Sequence, residues 1–378
     1  MPFAIKPAWK LALAVILAQS LQGFTLVDEQ GKQVQPIQAS QYFSPAKGLA
    51  AGKIESDPAK LAAVARETLA FLRRHRDDRA AQAGLFKELN VTLPQVEATL
   101  EKVIATVAAD TQAKRPQRIL NPAFLEKEFR LLSWRADAAG ARAHKVNLPD
   151  QRLRITKYVV FEAKCSATRS GDYCCALYAL PPDEAQLSAE QADARKDQLL
   201  RFKFTKQQVV AGALDKLGVR PLVWLTRQGL EDALLQGSLM VAMPDGSRRM
   251  FNVHRNNGIG YDRKIKDPRL QRRYWYFKEV KGIQGYGQDD KILIQPGVTF
   301  AGDVFNLGLG KLIAIRYPLG GKPVLRLGIL ADTGGAFIPN LYQLDYLSGI
   351  YPDRPSFQKG IASLPEFADT FVLIARGK

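Results

Sequence analysis

The densest run of residues able to do chemistry lies near the carboxyl terminus, in ILADTGGAFIPNLYQLDYLSGIY, residues 329–351. Asp332 closes an apolar, strand-like run and leads into Thr333, Gly334 and Gly335. Two adjacent glycines permit a sharp turn or the close approach of a ligand to the backbone. Asp345 follows between Leu344 and Tyr346, in a stretch that is otherwise apolar. A charged, unpaired carboxylate is costly to bury in such a setting. Burial would therefore hold Asp345 protonated, which suits a general acid. The other reading of the same pattern is an aspartate on a turn, facing water. Asp-Thr-Gly is also the signature of aspartic proteases, but their chemistry needs two aspartates sharing a proton. The motif occurs once here, which argues against that chemistry.

Thiol and imidazole chemistry is sparse. The cysteines are Cys165, Cys174 and Cys175, flanking SATRSGDY, whose Ser-Gly-Asp reads as a hairpin turn. In an oxidising compartment a disulfide could close this hairpin, joining Cys165 to Cys174 or to Cys175 and leaving one thiol over. The histidines, His75, His144 and His254, lie far apart and beside no cysteine, so the spacing of a zinc site is missing.

These residues need elements to position them. Ser56-Asp57-Pro58 predicts a helix start with Ser56 as cap, and Leu61, Val64, Ala65, Leu69 and Leu72 recur at helical spacing. Thr92 and Gln95 predict a capping box for a second helix, whose apolar face is Val96, Leu100, Val103, Ile104 and Val107. Residues 122–134 read as a third helix. From about residue 152 the texture turns to strands, beginning with the β-branched and aromatic run ITKYVVFEA. Helical segments are expected within 184–200, at 206–217 and at 229–235. From Ser238 onward short strands alternate with Gly, Pro and Asp turns, the pattern of a barrel or sandwich. The expected class is mainly β with an α-helical amino-terminal part.

The chain of 378 residues is long enough for two domains, and its net charge of +17 favours anionic partners. The basic residues are scattered, and no helix-turn-helix, RNA-binding or zinc-finger pattern is present, so no nucleic acid is expected as partner. Lys6 and Lys10 precede the apolar run Leu11–Leu17, which reads as an export signal or amino-terminal anchor over residues 1–24. No cysteine stands near a plausible cleavage point to accept a lipid. The expected location is the periplasm, soluble or associated with the outer membrane. Anionic wall polymer or a membrane surface is then the better partner for the basic surface.

Several motifs, in order, resemble those of the lytic murein transglycosylase A family with its three-aspartate domain. ADTGGAF…LDYLSG is similar to the family's Asp-x-Gly-Gly-Ala signature followed by Asp, an aromatic residue and Gly. FAGDVFNLGLGKLI, residues 300–313, resembles the segment that carries the first aspartate, which makes Asp303 its counterpart. YWYFKE (274–279), DGSRRMFNVHRNNGIGY (245–261) and LLQGS (234–238) resemble the preceding motifs. The resemblance covers residues 56–378. Leu239 stands where the family motif ends in Gly, Val160 where a substrate-contacting Thr is expected, and the stretch from Asp332 to Asp345 is slightly longer.

The resemblance implies a double-psi β-barrel built from residues 25–163 and 281–378, with a smaller β domain, residues 164–280, inserted as the other wall of a glycan groove. It implies cleavage of the β-1,4 bond between N-acetylmuramic acid and N-acetylglucosamine in peptidoglycan, with a 1,6-anhydromuramoyl product. Asp345 would be the catalytic acid and base, supported by Asp332 and Asp303. Gln236, Gly334, Gly335 and Tyr346 would contact substrate. An ordinary glycosidase needs two carboxylates. Here the muramic acid C6 hydroxyl is the tethered nucleophile, so one carboxyl suffices, with the effective molarity of an intramolecular reaction. The scheme gives no role to a metal or an organic cofactor. The departures at Leu239 and Val160 motivate the alternative, a peptidoglycan-binding protein that keeps the barrel without activity.

Overall fold

The computed structural model describes residues 26–27, 33–34, 38–50, 52–262, 264–334, 337 and 339–377. The expected export signal and Gly335 lie outside them.

The helical start forms as α1, Pro58–Arg74, and α2, Leu93–Gln112. Thr92 and Gln95 make the expected capping box of α2. The cap of α1 is Asp57 rather than Ser56: its carboxylate accepts from the Lys60 backbone N–H at 3.0 Å. Pro58 at the first helical position holds the residue before it extended, the geometry of a cap. Ser56 instead bonds both backbone groups of Leu327, at 2.7 and 3.2 Å. The two helices pack together and meet Gly310, where a Cβ would come within 3.0 Å of Leu72 and Val96. The helix expected over 122–134 stops at Glu128, and Phe129–Trp134 is a strand, β1. Its local helical pattern is overridden by pairing to the chain's last strand.

The following strands are β2 (Leu153–Ser166), β3 (Cys175–Tyr178), β4 (Pro221–Leu225), β5 (Ser238–Ala242), β6 (Arg248–Asn256) and β7 (Trp275–Val280). After them come β8 (Thr299–Ala301), β9 (Leu312–Leu319), β10 (Lys322–Asp332), β11 (Gln343–Tyr351) and β12 (Phe367–Ala375). Helix α3, Arg227–Gln236, runs between β4 and β5, and the short α4, Val304–Leu307, follows β8. The fold is thus sheet-rich with helices, as the sequence predicts.

The pairings close into a ring. Strand β2 runs parallel to β11, β11 antiparallel to β8, and β8 parallel to β10. Antiparallel pairs then join β10 to β9 and β9 to β12, and β12 returns to β2 through Ala368↔Leu153. Strand β2 is longer than the ring. Its second half, from Phe161, leaves the ring and runs parallel to β5, which continues into β6 and β7. One strand therefore serves two apolar cores. Leu153 and Ile155 belong to the larger core, with the ring strands and α1 and α2. Phe161 and Cys165 belong to the smaller, with β3–β7 and α3.

The expected disulfide is absent: Cys165, Cys174 and Cys175 are all free thiols. A tight turn does form, with Ser170 bridging Tyr173, but β2 and β3 do not pair with each other. Strand β4 inserts between them, so that Leu225 is the register partner of both Cys165 and Cys175. Two strand spacings amount to about 10 Å, beyond the reach of a disulfide.

Candidate active site

Where β2 passes from one core to the other, a groove of about 1330 Å³ opens between them, floored in part by Lys157–Val160. Asp345, Asp332, Gly334 and Gln236 all line it. The structure thus brings together four of the residues singled out in the sequence.

Strand register sets the two aspartates. Ala301 of β8 pairs with Asp345 of β11 on one side and with Asp332 of β10 on the other. In-register neighbours on adjacent strands point to the same face, so all three side chains face the groove. On its other flank Asp345 pairs with Thr156 of β2.

The two carboxyls are differently engaged. Asp332 is held at both oxygens: Oδ2 accepts from the Tyr158 hydroxyl at 2.8 Å and Oδ1 from the Thr333 backbone N–H at 2.8 Å. Burial raises its pKa to about 6, against the pull of Tyr158, Thr333 and Lys291. In Asp345, Oδ1 is buried and has no hydrogen-bond partner. Burial, reinforced by the nearby charge of Asp332, raises its pKa to about 7, while Thr156 and Lys157 pull the other way. Asp345 therefore keeps its proton up to about neutral pH, on the wall of the groove.

Asp303 plays another part. It is fully buried and does not line the groove. Its carboxylate caps α4 through the Asn306 N–H at 3.2 Å, accepts from Asn306 Nδ2 at 2.7 Å, and accepts from the Asn340 N–H at 3.0 Å. It fastens the far end of the Asp332–Asn340 loop to the end of β8. At the near end, the Thr333 hydroxyl donates to the Gly302 carbonyl at 2.8 Å.

Tyr346 does not line the groove. As the next residue after Asp345 on β11 it points to the opposite face, into the larger core. There its hydroxyl donates to the Gly297 carbonyl at 2.7 Å. Of the two departures from the family motifs, Leu239 is fully buried in the smaller core, and Val160 is buried at the groove floor.

The sequence reading missed Tyr158, which donates to Asp332, and Thr156, the register partner of Asp345. Alternation along ITKYVVFEA marks them as one face of a strand, but nothing local marks that face as functional. It also missed Lys291, whose amine donates to Asn252 Oδ1 at 2.9 Å and to the Val253 carbonyl at 2.6 Å. Burial lowers its pKa to about 8.

No family model and no curated protein matches the chain by sequence. Solved structures do match it in fold. The membrane-bound lytic murein transglycosylase of Agrobacterium tumefaciens superposes with a TM-score of 0.58 at 19% identity, over 85% of this chain and 94% of that one. E. coli MltA with bound chitohexaose gives 0.54 at 16% identity, over 92% and 99%. MltA of Neisseria gonorrhoeae gives 0.53 at 14% identity, over 88% and 96%. Over most of its length, this chain has the fold of the lytic murein transglycosylase A structures.

Proposed function

We propose that this protein is a lytic transglycosylase that binds a peptidoglycan glycan strand in the groove and cleaves it with Asp345. One observation carries the reading: of the two carboxyls that line the groove, Asp345 has a buried oxygen with no hydrogen-bond partner, while both oxygens of Asp332 accept one. Both oxygens of Asp332 already accept a hydrogen bond, which makes it the poorer nucleophile or base for water. A two-carboxylate hydrolase would need that second group. A reaction that brings its own nucleophile does not.

In this scheme protonated Asp345 gives its proton to the glycosidic oxygen between N-acetylmuramic acid and N-acetylglucosamine. The carboxylate left behind takes the proton of the muramic acid C6 hydroxyl as that oxygen attacks C1. The 1,6-anhydro ring closes and Asp345 is again protonated. A pKa near 7 suits both halves of the cycle, because the group then gives and takes a proton with little driving force lost. Asp332, Tyr158 and Asp303 position the site.

We read the closed ring of strands as the double-psi β-barrel and residues 164–280 as the inserted domain facing it. Gln236, at the end of α3, and Gly334 are then contacts for the sugar. A basic, exported protein of the periplasm would suit this substrate.

Digestion of purified peptidoglycan with mass analysis of the products is the test. Anhydro-muropeptides are expected. Ordinary reducing ends would mean attack by water and would overturn the transglycosylase reading. Binding without any cleavage would leave a glycan-binding module.

A further inference from the structure

Lys291 belongs to one wall of the groove and bonds to the other. It stands on a hairpin, Gln284–Gly287 with Lys291–Leu293, that forms a small sheet of its own. Ile283, Ile292 and Ile294 root this hairpin in the larger core. Gly285 lays it on the end of β10: a Cβ there would come within 2.6 Å of the Ala331 carbonyl oxygen and 3.3 Å of Asp332 Cβ. The hairpin is therefore part of the wall that carries Asp332.

The Lys291 amine reaches across. It donates to Asn252 Oδ1 at 2.9 Å and to the Val253 carbonyl at 2.6 Å, both on β6. The buried Asn252 passes the tie on, its Nδ2 donating to Ser238 Oγ at 2.8 Å and to the Gly237 carbonyl at 3.1 Å. The Val253 N–H donates to the same Gly237 carbonyl at 2.8 Å. Gly237 ends α3 in the left-handed conformation, φ 77°, directly after Gln236. The chain of bonds thus runs from the hairpin to the corner that presents Gln236 to the groove.

Drawing an ammonium out of water is costly unless it is hydrogen-bonded. A lysine that only stiffened its own hairpin would find its acceptors there, whereas these lie on β6. Lys278 works against its charge, and Asp332 and Asp289 support it. The same ammonium favours the ionised form of Asp332. Lys291 therefore meets the carboxyl pair through its charge and the opposite wall through its hydrogen bonds.

We infer that Lys291 is a positioning residue that holds the Gln236 corner at a fixed distance from the aspartates, and so sets the fit of the groove to a sugar chain. This rests on the glycan reading above. The Gln236 amide offers donors and an acceptor to a sugar hydroxyl or acetamido group. Such a contact helps only where its distance from Asp345 matches the spacing along the chain, since small misplacements of a bound substrate are costly. The tie decides that distance without touching the reacting atoms.

Binding of glycan strands prepared from peptidoglycan is measured in the Asp345→Asn protein, and KM and kcat on peptidoglycan with Asp345 intact. Lys291→Met, which removes the amine and keeps the stem, should weaken binding by roughly tenfold, the worth of one well-placed hydrogen bond. The loss should fall on KM more than on kcat, the mark of binding shared by ground and transition states. Gln236→Ala should weaken binding likewise. The two together should weaken it hardly more than either alone, because both remove the same contact.

Effects that add in full would make the two residues independent and overturn the tie. So would unchanged affinity in Lys291→Met, or in Gln236→Ala, since nothing that the glycan touches would then be positioned. Thermal melts check each variant, and if Lys291→Met does not fold, Lys291→Gln takes its place in the same cycle. If the Asp345→Asn protein with Lys291 and Gln236 intact binds no glycan strand, the glycan reading fails and the tie with it. If that protein binds and the cycle is additive, only the tie fails.

Discussion

Asp345 and Asp332 face the same groove from strands two apart, with Ala301 as the register partner of both. The spacing keeps them coupled but separate. The charge of Asp332 helps hold the proton on Asp345, while Tyr158 and Thr333 occupy both oxygens of Asp332.

Asp345→Asn should lower turnover by about 10²- to 10⁴-fold, the usual contribution of a general acid–base, while peptidoglycan pull-down persists. The same variant should be the more stable protein at alkaline pH. The folded-state pKa of Asp345 is raised from 3.8 to about 7. Between those values the folded protein holds a proton that the unfolded chain has released, so stability falls as pH rises through that window. Thermal melts should show Asp345→Asn above wild type at pH 8, by at most about 4 kcal/mol, and no difference below pH 4. A destabilised Asp345→Asn at pH 8 would contradict the raised pKa of the buried Asp345 carboxyl.

Tyr158→Phe should move the pH–rate profile. The Tyr158 hydroxyl favours the charged form of Asp332. Without it Asp332 keeps its proton to higher pH, and its charge supports the proton on Asp345 less. The alkaline limb of kcat should shift to lower pH by roughly 0.5 to 1 unit. Charges facing the pair from elsewhere, Lys157 beside Asp345 and Lys291 beside Asp332, are unchanged by this substitution. An unmoved limb with lower kcat would reduce Tyr158 to a packing role.

Asp303→Ala should cost about 2 to 4 kcal/mol in denaturant unfolding. It removes a helix cap and leaves the buried Asn306 and Asn340 N–H groups without their acceptor. Asp303→Asn keeps one acceptor oxygen and should cost less. Equal stability of Asp303→Ala and wild type would remove Asp303 from the supporting set.

Tyr346→Phe should cost about 1 kcal/mol through the lost bond to the Gly297 carbonyl. Glycan affinity measured alongside should not change, since the side chain faces the core. A selective loss of affinity would return Tyr346 to the groove.

Alkylation under denaturing, non-reducing conditions followed by mass measurement should label all three cysteines, and reductant should leave the melting temperature unchanged. A Cys165–Cys175 bond in the purified protein would require β4 to leave its place between β2 and β3.

The sequence by itself determined what local physics can carry. The apolar stripes of α1 and α2 and the capping box of α2 were legible because a helix closes its hydrogen bonds within a few residues, while the cap of α1 fell one residue later than expected, on Asp57. The strand texture after residue 152 was legible for the same kind of reason. Asp332 and Asp345 were legible as candidates because acidic residues in apolar, glycine-rich surroundings are costly to bury, and both line the groove. Which of them keeps an unpartnered oxygen was not. That depends on Tyr158, distant along the chain, and on Ala301, which sets the register between them. Strand partners are chosen by the whole core rather than by neighbours in sequence. That choice turned Phe129–Trp134 from helix to strand, put β4 between the cysteines, and sent Tyr346 inward while its neighbour Asp345 faces the groove.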